Sequence, residues 1–493
     1  MISPYTRVLN DWFSKSIASP QSLLQRKKRT LQGQQNALEL FHEAARRVPA
    51  YEKFLASHDI QHKKIRTWDE FLAVPQTTKE NYIEAFPLLE RVWDGNVSRA
   101  HMVSTSSGTT GAPSYWPRSL THEIEGAALH EFFMRTIFEA DKKTTLFING
   151  FALGNWIAGT FTSTAMQLVI WKGYPITLMS PGYNLDAVVS VVRDMSAHFE
   201  QTVITGHTPF LKEVVEALVV NNLHRDVVIR LLGTGQGITE SWREYVRITL
   251  GSNAKYSTMI NLYGSADASL MGLETPLSVQ LRQWIVDHDK VQDIFHDSRL
   301  PSLYQYDPLL IFFESKDGEL CITKNGGCPL VRYNIHDTGG VYAYDDLVNR
   351  VPKVVKKQIE KASCWPLPFV YLFGRDKFMV KLYGANIYTE HVQKVTDHPR
   401  LQSLLTGRFM LDILYDAKQN QKLILRVESR SEKISSRRQA ETITEIFVSE
   451  VARVNSEYRY IEQAMGKKVH PEVQIFPHGH KKYCPKGQTK KTS

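Results

Sequence analysis

Cysteine is scarce in this chain: four in 493 residues, too few and too scattered for a disulfide framework. Cys321 and Cys328 stand seven apart around a Gly-Gly turn, and no Cys-x-x-Cys pair accompanies Cys364 or Cys484, so zinc-ligand spacing is excluded too. Structural thiols in a reducing compartment are the expectation. No apolar run is long enough to span a bilayer, so no membrane insertion is expected. The opening MISPYTRVLNDWFSKSIASP mixes charges among its apolar residues and lacks a signal-peptide core. Cytoplasmic localisation follows as the default. Internal repeats are absent, and so is the nucleotide loop ending in Gly-Lys-Ser/Thr.

Acidic residues are outnumbered, 51 against 60 Lys and Arg, and the net charge is +9. Part of the excess gathers in the last sixteen residues, where Lys481, Lys482, Lys486, Lys490 and Lys491 meet no acidic residue. A tail of this kind attracts nucleic acid or anionic surfaces when aromatic residues interleave it or a zinc finger precedes it. Neither is present, so no nucleic-acid partner is expected. Two readings stay open: a solvated tail, or a lysine delivered to a phosphate or carboxylate.

What the chain does have is a globular balance, 42% hydrophobic and 23% charged, over a length that calls for two or more domains. One segment stands out. Ser104 to Pro113 (STSSGTTGAP) packs six hydroxyl side chains and two glycines into ten residues. Glycines let the backbone approach a ligand closely, and clustered hydroxyls and amides offer donors to phosphate oxygens. On composition alone a flexible, hydroxyl-rich surface linker is the favoured reading, and only matching segments downstream overturn it.

Helical periodicity over Ala37–Val48, Asp186–Phe199 and Phe210–Leu223 alternates with apolar runs at Thr145–Ile148, Gln201–Ile204, Val227–Leu232 and Met259–Tyr263. That alternation predicts an α/β fold with parallel sheets, in which ligands bind beyond the carboxyl ends of strands. Gly233–Gly237 and Tyr263–Ser265 follow two of those runs. From Glu314 to Tyr344, Asp-Gly and Asn-Gly-Gly turns indicate a smaller β region. Beyond Arg375 the texture changes again: strands at Phe409–Tyr415 and Lys422–Val427, one long helix over Glu432–Ser456, and a last strand at Val473–Phe476. The boundary drawn from this lies near Arg375, between a large domain and a compact α+β unit.

Five segments in order resemble the adenylate-forming enzyme superfamily, the acyl-CoA synthetase and adenylation-domain group, and look most like its phenylacetate-CoA ligase branch. They are SSGTTGAP, LLGTGQGITESWREYV, NLYGSADAS, DGELCITKNGGCPLVRYNIHDTGG and LFGRDKFMVKLYGANIYTEHV. The resemblance spans roughly Val48 to the C-terminus and implies a large domain over 1–374, a hinge at 375–377, and a small mobile domain over 378–493. It implies activation of a carboxylic acid by ATP to an acyl-adenylate with release of pyrophosphate, then transfer to a thiol of CoA. An acyl carrier protein or an amine is the alternative acceptor. ATP, Mg²⁺ and CoA are the cofactors implied, an aryl or fatty acid the substrate class. The oligomeric state is left open, a homodimer included.

By the same resemblance, Ser106, Ser107, Gly108, Thr109, Thr110 and Gly111 hold the β- and γ-phosphates, with Thr109 also catalytic. Gly235, Gln236 and Gly237 line the adenine edge, and Asn261, Tyr263, Gly264 and Ser265 complete the nucleotide site, Tyr263 by stacking on adenine. Asp267 is the catalytic carboxylate that ligates Mg²⁺, Asp337 accepts from the ribose hydroxyls, and Arg375 contacts ribose or phosphate. Each has a plainer alternative: Tyr263 as a buried strand-end aromatic, Asp337 as a turn residue, Arg375 as a surface hairpin residue. The catalytic lysine is Lys490 first, then Lys486, with Lys491 close behind. Phe151, Trp156, Phe161 and Trp171 make an aromatic stretch from which one or two residues would line the acid pocket, the rest packing in the core.

Several positions depart from the family's pattern. Ser114 stands where many members have a lysine, Ala266 replaces a threonine, Gln236 an acidic residue, and His336 a glycine. These departures support a further alternative, a nucleotide-binding pseudoenzyme.

Overall fold

The computed structural model describes residues 4–14, 23–106, 114–235, 237–297, 299–353, 355–356, 366–375, 379–396, 398–401, 403–416, 420–431 and 437–477. Two compact units make up the chain, one containing Met1–Ser106 and Tyr115–Gly374, the other Ser107–Ser114 and Arg375–Ser493.

The first unit is built on an eleven-stranded mixed sheet among the described residues. A hairpin of β1 (Met102–Ser106) and β2 (Ser114–Arg118) precedes it in sequence. The parallel half comprises β3 (Thr145–Asn149), β4 (Ile176–Met179), β5 (Gln201–His207), β6 (Ile229–Thr234) and β7 (Met259–Ser265), lying side by side in the order β4-β3-β5-β6-β7. Both faces of β3, β5, β6 and β7 are largely buried, which is why they read as near-continuous apolar runs. Leu146, Ile148, Ile204, Leu231 and Met259 pack on the helices Leu185–Met195, Thr208–Val220 and Glu240–Thr249. Their neighbours Phe147, Val203, Leu232 and Ile260 face the helices Leu120–Thr136 and Ile157–Ile170. The two-residue period of a strand thus assigns alternate side chains to two separate cores.

Beyond β7 the sheet turns antiparallel. It continues through β8 (Ser269–Leu273), β9 (Ser302–Gln305), β10 (Phe312–Lys316), β11 (Glu319–Lys324), β12 (Leu330–Tyr342) and β13 (Phe369–Arg375), in the order β7-β8-β9-β13-β12-β11-β10. The change of texture near Glu314 therefore marks the far half of the same sheet and not a separate region. Short turns join β7 to β8 and link β10, β11 and β12, while the helices Pro276–Asp287 and Val291–Phe295 still intervene between β8 and β9.

The second unit has its own core, formed by Leu382, Ile387, Val395, Leu425, Phe447 and Tyr458 among others. Its sheet has β16 (Leu405–Tyr415) antiparallel to β17 (Gln421–Ser429), with β18 (Glu472–Phe476) parallel on the other side of β17. The hairpin β14 (Met379–Leu382) and β15 (Ala385–Tyr388) belongs to the same unit. The single helix expected to run to Ser456 stops at Val454, and a second begins at Ser456. Asn455 causes the break. Its side-chain oxygen caps the new helix by accepting from the Tyr458 N–H at 2.9 Å, while its amide donates to the Asn386 carbonyl at 2.7 Å.

Where the sheet changes from parallel to antiparallel, a buried charge network fixes β7. Arg243 donates to both carboxylate oxygens of Glu274 at 2.9 Å and to the Met259 carbonyl, and Glu274 also accepts from the Asn261 N–H at 2.9 Å. Glu240 bridges Arg243 at 3.1 Å to Arg282 at 2.7 Å. Removing one partner leaves a buried charge uncompensated. Glu274→Gln is expected to cost about 3–5 kcal/mol, read as a lower urea midpoint.

Candidate functional site

The sequence places its candidate ligands at strand ends, and β7 does deliver them to one. Gly264 makes the β7–β8 turn possible: a Cβ there would lie 2.8 Å from the Ser269 carbonyl oxygen. Ser265 closes the turn by accepting from the Ala268 N–H at 3.2 Å. Within it, Asp267 accepts from the Tyr333 hydroxyl at 2.8 Å. Four residues along β12 from Tyr333, Asp337 accepts from the Tyr263 hydroxyl at 2.6 Å. Tyr263 and Asp337 are thus in direct contact, and Asp267 is tied to the strand that bears Asp337. The Tyr263 ring is 7% exposed and stacks on Tyr304 and Phe313 at centroid distances of 5.5 and 6.1 Å.

On the neighbouring strand, Gly233 pairs with Asn261, whose Oδ1 would be 3.2 Å from a Cβ at Gly233. The Asn261 amide donates to the Tyr304 hydroxyl at 2.9 Å. Gly235 takes φ +93°, and a Cβ there would press on the His207 ring at 2.8 Å. A Cβ at Gly237 would meet Ser302 Oγ at the same distance. The carboxyl ends of β5, β6 and β7 are therefore lined by glycines with no room for a side chain, a surface a flat ligand can approach closely.

Other candidates lie elsewhere. Ser107, Gly108, Thr109, Thr110 and Gly111, Gln236, and the tail lysines Lys486, Lys490 and Lys491 fall outside the described residues. Ser106 and Arg375 are strand residues, ending β1 and β13. Of the aromatic stretch, Phe151 and Phe161 are buried, Trp156 is half-buried and Trp171 is 65% exposed. Phe161 belongs to the core beneath the helix Leu120–Thr136, where a Cβ at Gly126 would collide with its ring.

The structure also brings forward residues that the motifs do not include. A pocket beside the β7–β8 turn is lined by Trp116, Arg118, His122, Asp267, Lys324, Gly326 and others. Arg118 is fully buried and pairs with Glu123 at 3.1 Å. Burial pushes the Glu123 carboxyl up to about 7, with Arg118 opposing. Burial, helped by the charges of Lys324 and Arg118, holds the His122 imidazole well below its ordinary range, so it is neutral. Ionisable residues in the otherwise apolar run WPRSLTHEIEGAALHEFF, and a lysine just before an Asn-Gly-Gly turn, were the available signals. Among the described residues no group of three or more His, Cys, Asp or Glu is placed to hold a metal ion.

The fold is a mixed α/β sheet unit with a small C-terminal α+β unit. No family model matches the chain, and no curated protein matches it. Among solved structures it is similar to 2-hydroxyisobutyryl-CoA ligase in complex with 2-HIB-AMP and CoA in the thioesterification state. The TM-score is 0.66 at 14% identity over 93% of this chain and 88% of that one. The same ligase in the postadenylation state with R3-HIB-AMP gives 0.55 at 15%, covering 93% and 87%. Its open conformation with 2-HIB-AMP and CoA gives 0.54 at 14%, covering 93% and 89%. The chain shares the fold of that ligase.

Two outcomes follow from the geometry. Tyr263→Phe removes the donor to a buried carboxylate and is expected to destabilise the fold by about 1–3 kcal/mol, measured by chemical denaturation. Glu123 binds its proton more tightly folded than unfolded, so stability falls as pH rises from its ordinary 4.5 through about 7. That loss should approach about 3 kcal/mol, and Glu123→Gln should flatten this part of the profile, read from unfolding curves at successive pH values.

Proposed function

We propose that this protein is an ATP-dependent carboxylic acid ligase that forms an acyl-adenylate and then transfers the acyl group to the thiol of CoA. The observation that supports it most is the shared fold with a ligase whose crystals hold an acyl-AMP and CoA, combined with the contact of Tyr263 with Asp337 beside Asp267. In the first half-reaction a carboxylate oxygen of the acid attacks the α-phosphorus of ATP, and the bond to pyrophosphate breaks. In the second, the thiol sulfur attacks the acyl carbonyl and AMP leaves. Two anions must meet in the first step, so charge neutralisation and in-line alignment are what the protein contributes.

The residues fit the groups this chemistry needs. Asp337, which accepts from the Tyr263 hydroxyl, would accept from the ribose hydroxyls. Asp267 would hold Mg²⁺, an ion that takes one or two carboxylates and completes its shell with phosphate oxygens and water; bound there, it would neutralise phosphate charge. Ser106, Ser107, Thr109 and Thr110, with Gly108 and Gly111, would enclose the β- and γ-phosphates. Gly235, Gln236 and Gly237 would border adenine, with Asn261, Gly264 and Ser265 beside them. Arg375 would contact ribose or phosphate at a hinge over 375–377, and Lys490, with Lys486 as second candidate, would reach the α-phosphate. Within the superfamily the phenylacetate-CoA ligase branch is the proposed place, with an aryl or fatty acid as substrate. A carrier-protein thiol or an amine is the alternative acceptor.

One observation favours a second reading, a nucleotide-binding pseudoenzyme: the Tyr263 ring is buried against Tyr304 and Phe313, so adenine could stack on it only after those rings shift. ATP–pyrophosphate exchange across a panel of carboxylic acids separates the two. Exchange with at least one acid is expected, and Asp267→Ala and Lys490→Ala should each lower it about a hundredfold or more. Nucleotide binding without exchange for any acid would favour the pseudoenzyme.

A further inference from the structure

Asp267 has one partner among the described residues, the Tyr333 hydroxyl, which donates to Oδ2 at 2.8 Å. Its other oxygen, Oδ1, takes no hydrogen bond from them, and the residue is half-buried within the β7–β8 turn. A carboxylate has two oxygens able to meet a hard cation. Here one of them is already committed.

Tyr333 is a rigid donor. Its ring is 2% exposed, in the core that also holds Tyr51, Tyr82 and Ile322. Its backbone stands opposite Ile322 of β11 and is bridged by Thr77. The Thr77 N–H donates to the Arg332 carbonyl at 3.1 Å, and the Thr77 carbonyl accepts from the Asn334 N–H at 2.8 Å. Arg332 is itself paired with Glu314 at 2.9 Å. Both sequence neighbours of Tyr333 are therefore pinned, and its hydroxyl points from a fixed place.

The turn that bears Asp267 is held independently. Ser269, which follows it, takes φ +58°, a left-handed conformation uncommon for a residue with a side chain. Its hydroxyl bonds with His122 Nε2 at 2.7 Å. At the other end, Ser265 accepts from the Ala268 N–H at 3.2 Å. With both ends of the turn fixed, the Tyr333 bond sets the carboxylate between them.

The common divalent cations differ in what they ask of a carboxylate. Magnesium demands six oxygens at near-octahedral angles about 2.0–2.1 Å away, so it takes oxygens singly. Calcium accepts about six to eight oxygens at about 2.3–2.6 Å and readily takes both from one carboxylate. A hydrogen bond from outside the metal's own ligands orients a ligating group and tunes which metal it holds.

We propose that Tyr333 is a positioning residue for Asp267: by occupying one carboxylate oxygen it leaves the other alone to a divalent cation, which makes the turn selective for Mg²⁺ over Ca²⁺. This role rests on the ligase reading, in which Asp267 meets a metal-bound nucleotide.

Calorimetric titration of the full-length protein with ATP, without any carboxylic acid, in Mg²⁺ and then in Ca²⁺ tests it. Wild type is expected to bind the Mg²⁺ complex more tightly. Tyr333→Phe keeps the ring and loses the hydroxyl. It should weaken the Mg²⁺ complex about ten- to a hundredfold and leave the Ca²⁺ complex nearly unchanged, so the ratio of the two affinities collapses. In an Asp267→Asn background Tyr333→Phe should add nothing, because the two residues act through one contact. An equal fall in both complexes, the mark of a merely structural role, overturns the proposal, as does an unchanged ratio. Should Tyr333→Phe not fold, the wild-type protein still decides. A crystal soaked with ATP and Mn²⁺, which shares the oxygen preference of Mg²⁺, should show the anomalous peak on one Asp267 oxygen with the Tyr333 bond kept on the other. Metal on both oxygens, or on neither, overturns the proposal. If ATP binds and exchanges while the ratio stays constant, the ligase reading stands and only the role of Tyr333 falls. Absence of any adenine-nucleotide affinity in wild type removes both.

Discussion

The carboxylate of Glu274 holds the middle of the large sheet in register. It accepts from Arg243 on a packed helix and from the backbone of Asn261 on β7, so one side chain ties helix, central strand and the start of the next segment together. Burial of so many charges is costly unless every partner is present, and here Arg243, Arg282 and Glu240 complete the set. The burial and the neighbouring cations act on Glu274 in opposition, with burial raising its pKa and Arg243 and Arg282 lowering it. What β7 bears at its carboxyl end, Tyr263 and the turn with Asp267, is positioned by that network.

A second consequence of the same strand is the junction itself. β7 pairs in parallel with β6 and antiparallel with β8. A parallel neighbour brings strand ends and their loops to one edge of the sheet, whereas an antiparallel neighbour returns the chain by a tight turn. At β7 both happen at once. The glycine-lined ends of β5 and β6 lie on one side, and the β7–β8 turn and β12 contribute carboxylates on the other. Clefts in α/β sheets form where chain direction changes, because neighbouring loops diverge there.

Much of this was readable in advance where local chemistry repeats. Val227–Leu232 and Met259–Tyr263 announce strands because both faces are buried and apolar residues run without interruption. Asn455 was not readable as a helix break. Asparagine is tolerated on an exposed helix face, and only its contacts with Tyr458 and Asn386 make it a cap. The continuity of one sheet across its parallel and antiparallel halves escaped as well, since hairpin texture is the same in a free β region and in an extended sheet. Arg118, His122 and Lys324 carry no motif. Arg118 and His122 are close in sequence, but Lys324 is distant and joins them only because β2, a helix start and the end of β11 pack together.

By itself the sequence determined the alternation of strands and helices, the change of character near Arg375, and the order of hydroxyl-, glycine- and carboxylate-bearing segments. These depend on periodicity and residue type, which act over a few neighbours along the chain. Tertiary structure alone decided which segments meet: Tyr263 with Asp337, Asp267 with Tyr333, and three buried basic groups around one pocket. Such meetings are set by the packing of distant elements and by the low polarity of the interior, where an unpaired charge must find a partner. Neither is recorded in local residue order.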